Sequence, residues 1–302
     1  MSRSIFVSIV SYRDPLLDTT IESLLSMQSN NNKLTISVFD QSTIDCKYKD
    51  HPSVIYKQIP PEYSNGVGWA RHVNSLNITD EDFYYQIDSH SVFDKNWDDY
   101  LLFDFFNAAN HYNTHKITLS NACKVFSINV DGNVCKEHEH GMRYITVKFL
   151  SDYGFNQNKL PTPHGNYGPK PDSQIVKARH LNGGNFFTHT DFIRHVGLCP
   201  FMFLFGEEHH TTLNAFLNGY KLLHHTCVHI YHLRDTTDYI SKIRVDPVIS
   251  QDRITELQNR SMSYWLSFLS SIPNKQLTEF FNYTGVDYIN LQLAESAKTT
   301  LD

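Results

Sequence analysis

The apolar positions of this chain change period repeatedly. Residues 4–12, "SIFVSIVSY", are β-branched and apolar up to the stop at Arg13-Asp14-Pro15, the pattern of a buried parallel strand. In residues 14–28 the spacing becomes helical, with Leu17, Ile21, Leu24 and Leu25 on one face. Strand patterns return at 33–42, ending around Asp40, and at 53–60. Residues 66–77, "GVGWARHVNSLN", predict a helix with Ala70, Val73 and Leu76 inward. "DFYYQIDSH" (82–90) is the fourth strand, and 97–110 the next helix. Residues 116–123 and 144–150 read as further strands, and 151–178, rich in Gly, Pro and Asn, as a long loop. Order resumes at 179–197, where Gly183-Gly184 precede an apolar strand and a short helix. An apolar run from Phe201 then breaks at Gly206-Glu207-Glu208 and continues as a helix closed near Asn218-Gly219. Residues 226–234 are a last short strand, and helical spacing dominates beyond about residue 249.

Strands alternating with helices at this spacing predict an α/β fold, with a mostly parallel sheet covered on both faces. Ligands of such sheets sit beyond the carboxyl ends of the strands. Tyr12-Arg13-Asp14, Asp40 and Asp88-Ser89-His90 all fall at those ends. Positions i and i+2 of an extended segment point to the same side. Asp88 and His90 therefore face one ion or substrate together, with Ser89 turned away.

Composition narrows the function classes. The 302 residues are 40% hydrophobic and only 19% charged, which describes a folded globular protein. A net charge of -6 excludes a broad positive field for grasping nucleic acid. The five cysteines are scattered without a C-x-x-C pair, as expected of reduced thiols in a cytosol-like compartment. The first apolar run, about seven residues, is too short for a signal segment or a membrane span, and no later run approaches about 18. The expectation is a soluble, cytoplasmic protein with no membrane partner. Cys135-x-x-His138-x-His140 has the look of a zinc half-site, but no second pair follows at suitable spacing, so a polar turn is the better reading.

Several motifs together carry a resemblance. "NGVGWAR", "YYQIDSHSVFDKNWDD", "GGNFF", "FLFGEE" and "IYHLR" occur in that order between about residues 5 and 235. The set resembles the cytoplasmic polypeptide N-acetylglucosaminyltransferases that modify hydroxyproline, which are retaining enzymes of the GT-A fold. The resemblance implies a Rossmann-like GT-A catalytic domain over 1–235, a helical C-terminal extension over 236–302, and a UDP-sugar donor. It departs at Ser91, where the family carries a larger residue, and over 122–180, which leaves the acceptor open.

The chemistry of sugar transfer from a nucleotide diphosphate calls for a divalent cation, Mn²⁺ or Mg²⁺, to neutralise the leaving group. Carboxylate plus imidazole suits Mn²⁺ better than Ca²⁺. Asp88 and His90 are the expected ligands, with His232 as the third and His229 next in line. Ser11, Tyr12, Arg13 and Asp40, with Asp14 beside them, would frame the nucleoside, and Arg71 would meet phosphate from a helix start. Gly183, Gly184 and Asn185 would allow close approach of the donor sugar. Glu207 or Glu208 would position the acceptor hydroxyl or stabilise charge at the anomeric carbon. The His209-His210 and His224-His225 pairs are expected to flank the site without ligating.

By resemblance the acceptor is a protein hydroxyl. Hydroxymethylated DNA is the alternative, for which Lys170, Lys177 and Arg179 would supply a local basic patch. From another class, a non-catalytic nucleotide-sugar or carbohydrate-binding module would keep the fold without turnover. A metallohydrolase would need denser His and Asp clusters than the chain offers.

Overall fold

The computed structural model describes residues 2–137, 142–148, 160–168, 176–204, 206–233 and 248–298. The chain runs β1 (Ser4–Tyr12), α1 (Leu17–Met27), β2 (Lys33–Gln41), β3 (Val54–Ile59), α2 (Val67–Ser75), β4 (Phe83–Asp88) and β5 (Ser91–Phe93). It continues with α3 (Trp97–Tyr112), β6 (Ile117–Ser120), β7 (Lys124–Ile128), β8 (Val134–Lys136), β9 (Met142–Lys148) and β10 (Thr162–Gly168). Then come β11 (Val176–Lys177), β12 (Asn185–His189), α4 (Asp191–His195), α5 (Glu207–Leu217), β13 (Lys221–His224) and β14 (Ile230–Leu233). The C-terminal part holds α6 (Gln251–Ser271), α7 (Asn274–Thr284), β15 (Val286–Asp287) and β16 (Gln292–Leu293).

The main sheet has eight strands in the order β11-β13-β6-β12-β4-β1-β2-β3. β1 pairs in parallel with β2 and β4, β2 with β3, and β13 with β6. Only β12 and the two-residue β11 run against this direction. The sheet is therefore mostly parallel, with helices on it, as the alternating pattern predicted.

β4 shows why the centre is buried on both sides. Phe83, Tyr85 and Ile87 pack into one aromatic cluster with Phe93, Trp97 and Phe187. Tyr84, facing the other way, joins Phe6, Phe186 and Phe192. Two buried faces explain the nearly continuous apolar run that ends at Asp88. A smaller sheet, β5-β14-β7-β8, stands beside the carboxyl end of β4 and brings β14 next to the segment after Asp88.

Several expectations need correction. Leu76 is 69% exposed, because α2 ends at Ser75 and turns a polar face inward. That face carries Arg71 and Asn74. Asn74 Nδ2 donates to Ser8 Oγ and to the carbonyls of Ile9 and Ser37, so a buried amide replaces the apolar contact that the spacing suggested. Residues 144–150 lie in part in β9, which pairs with β10 in a separate ribbon and not in the main sheet. The 151–178 stretch, read as one loop, contains β10 and β11 among its described residues. The strand expected over 226–234 is β14, which joins the smaller sheet, and two short strands, β15 and β16, follow it. His138, His140, Lys170 and the 235/236 boundary lie outside the described residues.

α6 and α7 share a hydrophobic cluster with α5: Trp265, Leu269 and Phe280 pack with Leu213 and Met202. Among the described residues no helix is long and apolar enough to cross a membrane. The five cysteines are free thiols, with Cys46, Cys123 and Cys199 buried.

Candidate functional site

The Asp88-Ser89-His90 turn is held to α1 by one hydroxyl. Thr20 Oγ1 donates to the Ser89 carbonyl at 2.7 Å and accepts the Ser91 N–H at 2.9 Å. Ser89 is not turned away from His90: Ser89 Oγ donates to Asp14 Oδ2 at 2.7 Å, the oxygen that His90 Nδ1 also meets, while Asp88 and His90 converge with His232 of β14. The potential ligand atoms of Asp88, His90 and His232 all lie within 4.8 Å of one another. His90 Nε2 is 2.8 Å from His232 Nε2, and His232 Nε2 is 3.4 Å from Asp88 Oδ2. The side chains are 29% (Asp88), 20% (His90) and 34% (His232) exposed, so the cluster is reachable from solvent.

The outer nitrogens of both imidazoles are engaged. His90 Nδ1 lies 2.6 Å from Asp14 Oδ2, and His232 Nδ1 lies 2.9 Å from the Leu233 carbonyl. A carboxylate and a carbonyl only accept, so each Nδ1 carries a hydrogen, and in the neutral ring each Nε2 presents a lone pair. His229, the other candidate third ligand, stacks on Tyr100 with ring centroids 4.0 Å apart and lies 3.9 Å from Asp94. It is not part of the cluster.

Arg71 connects this cluster to α5. Its Nη2 donates to Asp88 Oδ1 at 2.8 Å, and its Nη1 pairs with Glu207 Oε1. Burial alone would raise the Asp88 carboxyl, but the His232 ring beside it and the Arg71 charge overcome it and hold the group well below the usual carboxylate range. Arg71 was expected to meet phosphate from a helix N-terminus. Instead the first N–H groups of α2 are capped by the carbonyls of Phe203 and Met202, and the guanidinium is divided between two carboxylates.

Gly183 and Gly184 are also accounted for differently. A Cβ on Gly183 would run into Arg71 and Glu207, and one on Gly184 into the Asp88 carboxylate. Their side-chain space is filled by the charged network. Gln86 Nε2 donates to the Gly183 carbonyl at 2.8 Å, and the Gly183 N–H donates to Glu208 Oε1 at 2.6 Å. Burial pushes the Glu208 carboxyl up, against the Gly183 hydrogen bond and the Arg71 charge. The Asn185 side chain accepts from Tyr85 and donates to the Asn121 carbonyl.

At the ends of β1 and β2, Ser11 stands opposite Asp40. Asp40 Oδ2 accepts from Ser42 Oγ and Tyr56 OH. Asp40 Oδ1 and Ser11 Oγ are buried without a hydrogen-bond partner. Tyr12 is half-buried beside them, and Arg13 is exposed with φ 51°. Asp14 was grouped with these residues as a nucleoside frame, but its carboxylate is committed to His90 and Ser89.

The histidine pairs are buried. His209 contacts His180, Tyr288 and the Pro161 carbonyl, and His224 bonds the Ser120 carbonyl. Arg179 donates to the Tyr283 carbonyl of α7. Sequence reasoning missed Asn74, Gln86, Thr20 and the true partner of Asp14. For Thr20 and Gln86 no local pattern marks them, since each acts across a fold contact.

The mostly parallel sheet with its flanking helices is an α/β fold of GT-A type. The family model described as "Glycosyltransferase (GlcNAc)" matches residues 4–56 and 44–279, and the chain belongs to that family. Among solved structures it is similar to GalNAc-T7 with UDP, GalNAc and Mn²⁺, with a TM-score of 0.57 and 16% identity over 76% of this chain. The match spans 43% of that protein's chain. It is also similar to Staphylococcus aureus TarS 1-349 in complex with UDP-GlcNAc, at TM-score 0.47 and 15% identity over 98% of this chain and 83% of that one. No curated protein matches the chain.

Proposed function

We propose that this protein is a metal-dependent glycosyltransferase that moves a sugar from a UDP-sugar to a hydroxyl acceptor, with retention at the anomeric carbon. The observation that carries the reading is the His90–His232 pair. With both rings neutral, two lone pairs facing each other across 2.8 Å repel unless a proton or a metal cation lies between them. Adjacent ligands on an octahedral Mn²⁺ or Mg²⁺ stand roughly 3 Å apart, so the spacing fits a shared ion with Asp88 as the third protein ligand. The GalNAc-T7 structure, which holds UDP and Mn²⁺, lends support. When bound, the ion supplies charge neutralisation for the diphosphate and a fixed template for the donor.

The chain's own residues divide the remaining work. Asp40 Oδ1 and Ser11 Oγ, buried and unpartnered, offer an acceptor and a hydroxyl to the nucleoside, with Tyr12 against the base. Glu208, whose carboxyl is raised by burial, positions the acceptor hydroxyl. Glu207 is held on Arg71 and steadies Asp88 through it. By resemblance the acceptor is a protein hydroxyl, hydroxyproline first.

The test is a donor panel with Mn²⁺ and EDTA controls on the wild type, Asp88→Ala and His90→Ala, with mass spectrometry of a hydroxyproline peptide and NMR of the product anomer. Metal-stimulated transfer in the wild type and its loss in both variants is expected. Full activity in both variants would rule out the metal assignment.

A further inference from the structure

We infer that Asp14 is the positioning residue of the metal site: it orients His90, fixes its tautomer and sets the site's affinity for a divalent cation. The inference rests on the reading of Asp88, His90 and His232 as a cation site, and it explains why a serine lies between the first two.

Asp14 sits in the turn after β1, beyond Arg13, whose φ of 51° reverses the backbone and turns the next residue toward β4. The carboxylate is 7% exposed and each oxygen is occupied. Oδ1 accepts the Leu16 N–H at 2.9 Å; Oδ2 accepts Ser89 Oγ at 2.7 Å and His90 Nδ1 at 2.6 Å. Three hydrogen bonds converge on this buried carboxylate and favour its ionised form.

Three consequences follow for His90. Its Nδ1 must carry the hydrogen, which leaves Nε2 as the ligand atom. The ring cannot rotate without breaking the bond to Asp14. The buried negative charge makes the imidazole a stronger donor and adds to the negative field that attracts a dication. Ser89 anchors the same carboxylate oxygen from within the Asp88–His90 turn. The tripeptide thus supplies two ligand side chains and, between them, a brace for the group that aims the second. Partners that fix a ligating histidine in this way are commonly worth 10–100-fold in metal affinity.

The experiment measures Mn²⁺ binding directly, by the electron paramagnetic resonance signal of free Mn²⁺, on wild type, Asp14→Ala, Asp14→Asn, Ser89→Ala and His90→Ala. Circular dichroism melts identify any variant that fails to fold. Asp14→Ala is expected to weaken binding about 10–100-fold. Asp14→Asn, which keeps one accepting oxygen, recovers part of the loss, and Ser89→Ala loses less than either. In turnover assays the Mn²⁺ concentration at half-maximal rate rises for Asp14→Ala, and excess Mn²⁺ restores rate, which general structural damage would not allow. If the wild type binds Mn²⁺ and His90→Ala does not, while folded Asp14→Ala and Asp14→Asn bind like wild type, the role of Asp14 is overturned and the metal site stands. If the wild type itself binds no Mn²⁺, the metal site falls and this role with it.

Discussion

The Asp88 carboxylate occupies the space that a side chain on Gly184 would need. A backbone glycine and a strand-end aspartate thereby form one unit: the glycine exists so that the carboxylate can stand between Arg71 and His232. Gly184→Ala is expected to displace the carboxylate while leaving the sheet intact, since β12 begins only at Asn185. Misplacement of a reacting group by about 1 Å costs on the order of a hundred-fold in rate. Mn²⁺-stimulated turnover should fall by about that factor with an unchanged far-ultraviolet circular dichroism spectrum. Wild-type turnover in Gly184→Ala would show that the contact is slack.

Arg71 is 4% exposed and is shared by Asp88 and Glu207. Removing one partner from such a buried network leaves uncompensated charge and costs about 3–5 kcal/mol. Arg71→Ala should lose that much in urea unfolding. Arg71→Lys keeps the charge, but its single ammonium lacks the planar fork that reaches both carboxylates, so it should recover only part of the stability. Equal unfolding midpoints for Arg71→Lys and wild type would argue that the two-carboxylate grip is unimportant.

The unpartnered Asp40 Oδ1 and Ser11 Oγ make a prediction about donor binding that is separate from the metal. Hydrogen bonds to charged groups contribute about 1.5–3 kcal/mol, or roughly 10- to 150-fold in affinity. Calorimetric binding of UDP should weaken by that range in Asp40→Asn, and by less in Ser11→Ala. An Asp40→Asn protein that binds UDP normally would remove Asp40 from the nucleoside frame.

How much of this was legible in the sequence depended on the range of each contact. The β4 strand follows from local alternation and could be read directly, whereas Asp88 and His90 meet through the turn after β4 and not through the alternation the reading relied on. His232 was reached only through a motif resemblance, because β14 lies 142 residues from His90. Asp14 was visible as a strand-end residue but not as the partner of His90: that bond spans 76 residues and depends on the positive φ at Arg13. The inward face of α2 was misread because apolar periodicity cannot signal a buried amide such as Asn74. The reversed direction of β12 left no trace, since strand patterning is blind to orientation. β13, four residues soon after a helix, was not assigned at all, because so short a strand shows too little alternation to read.

The buried histidines give the protein a pH dependence that begins above the range where carboxylates titrate. His180 and His224 are buried, and that burial lowers each to about 4 from 6.5; His210 is lowered likewise. In the unfolded chain these groups take up protons near pH 6.5, while in the folded chain they stay neutral until about pH 4. The unfolded state therefore binds more protons in that window, so stability is full above about pH 6.5 and declines as pH falls toward 4. Each fully buried histidine contributes at most about 2 kcal/mol of loss between pH 7 and pH 5. Urea unfolding midpoints should fall clearly over that interval. His224→Asn, which removes one titrating ring, should show a shallower slope even if its stability at pH 7 is lower. A midpoint that does not move between pH 7 and pH 5 would mean that these rings are hydrated or already charged in the folded protein.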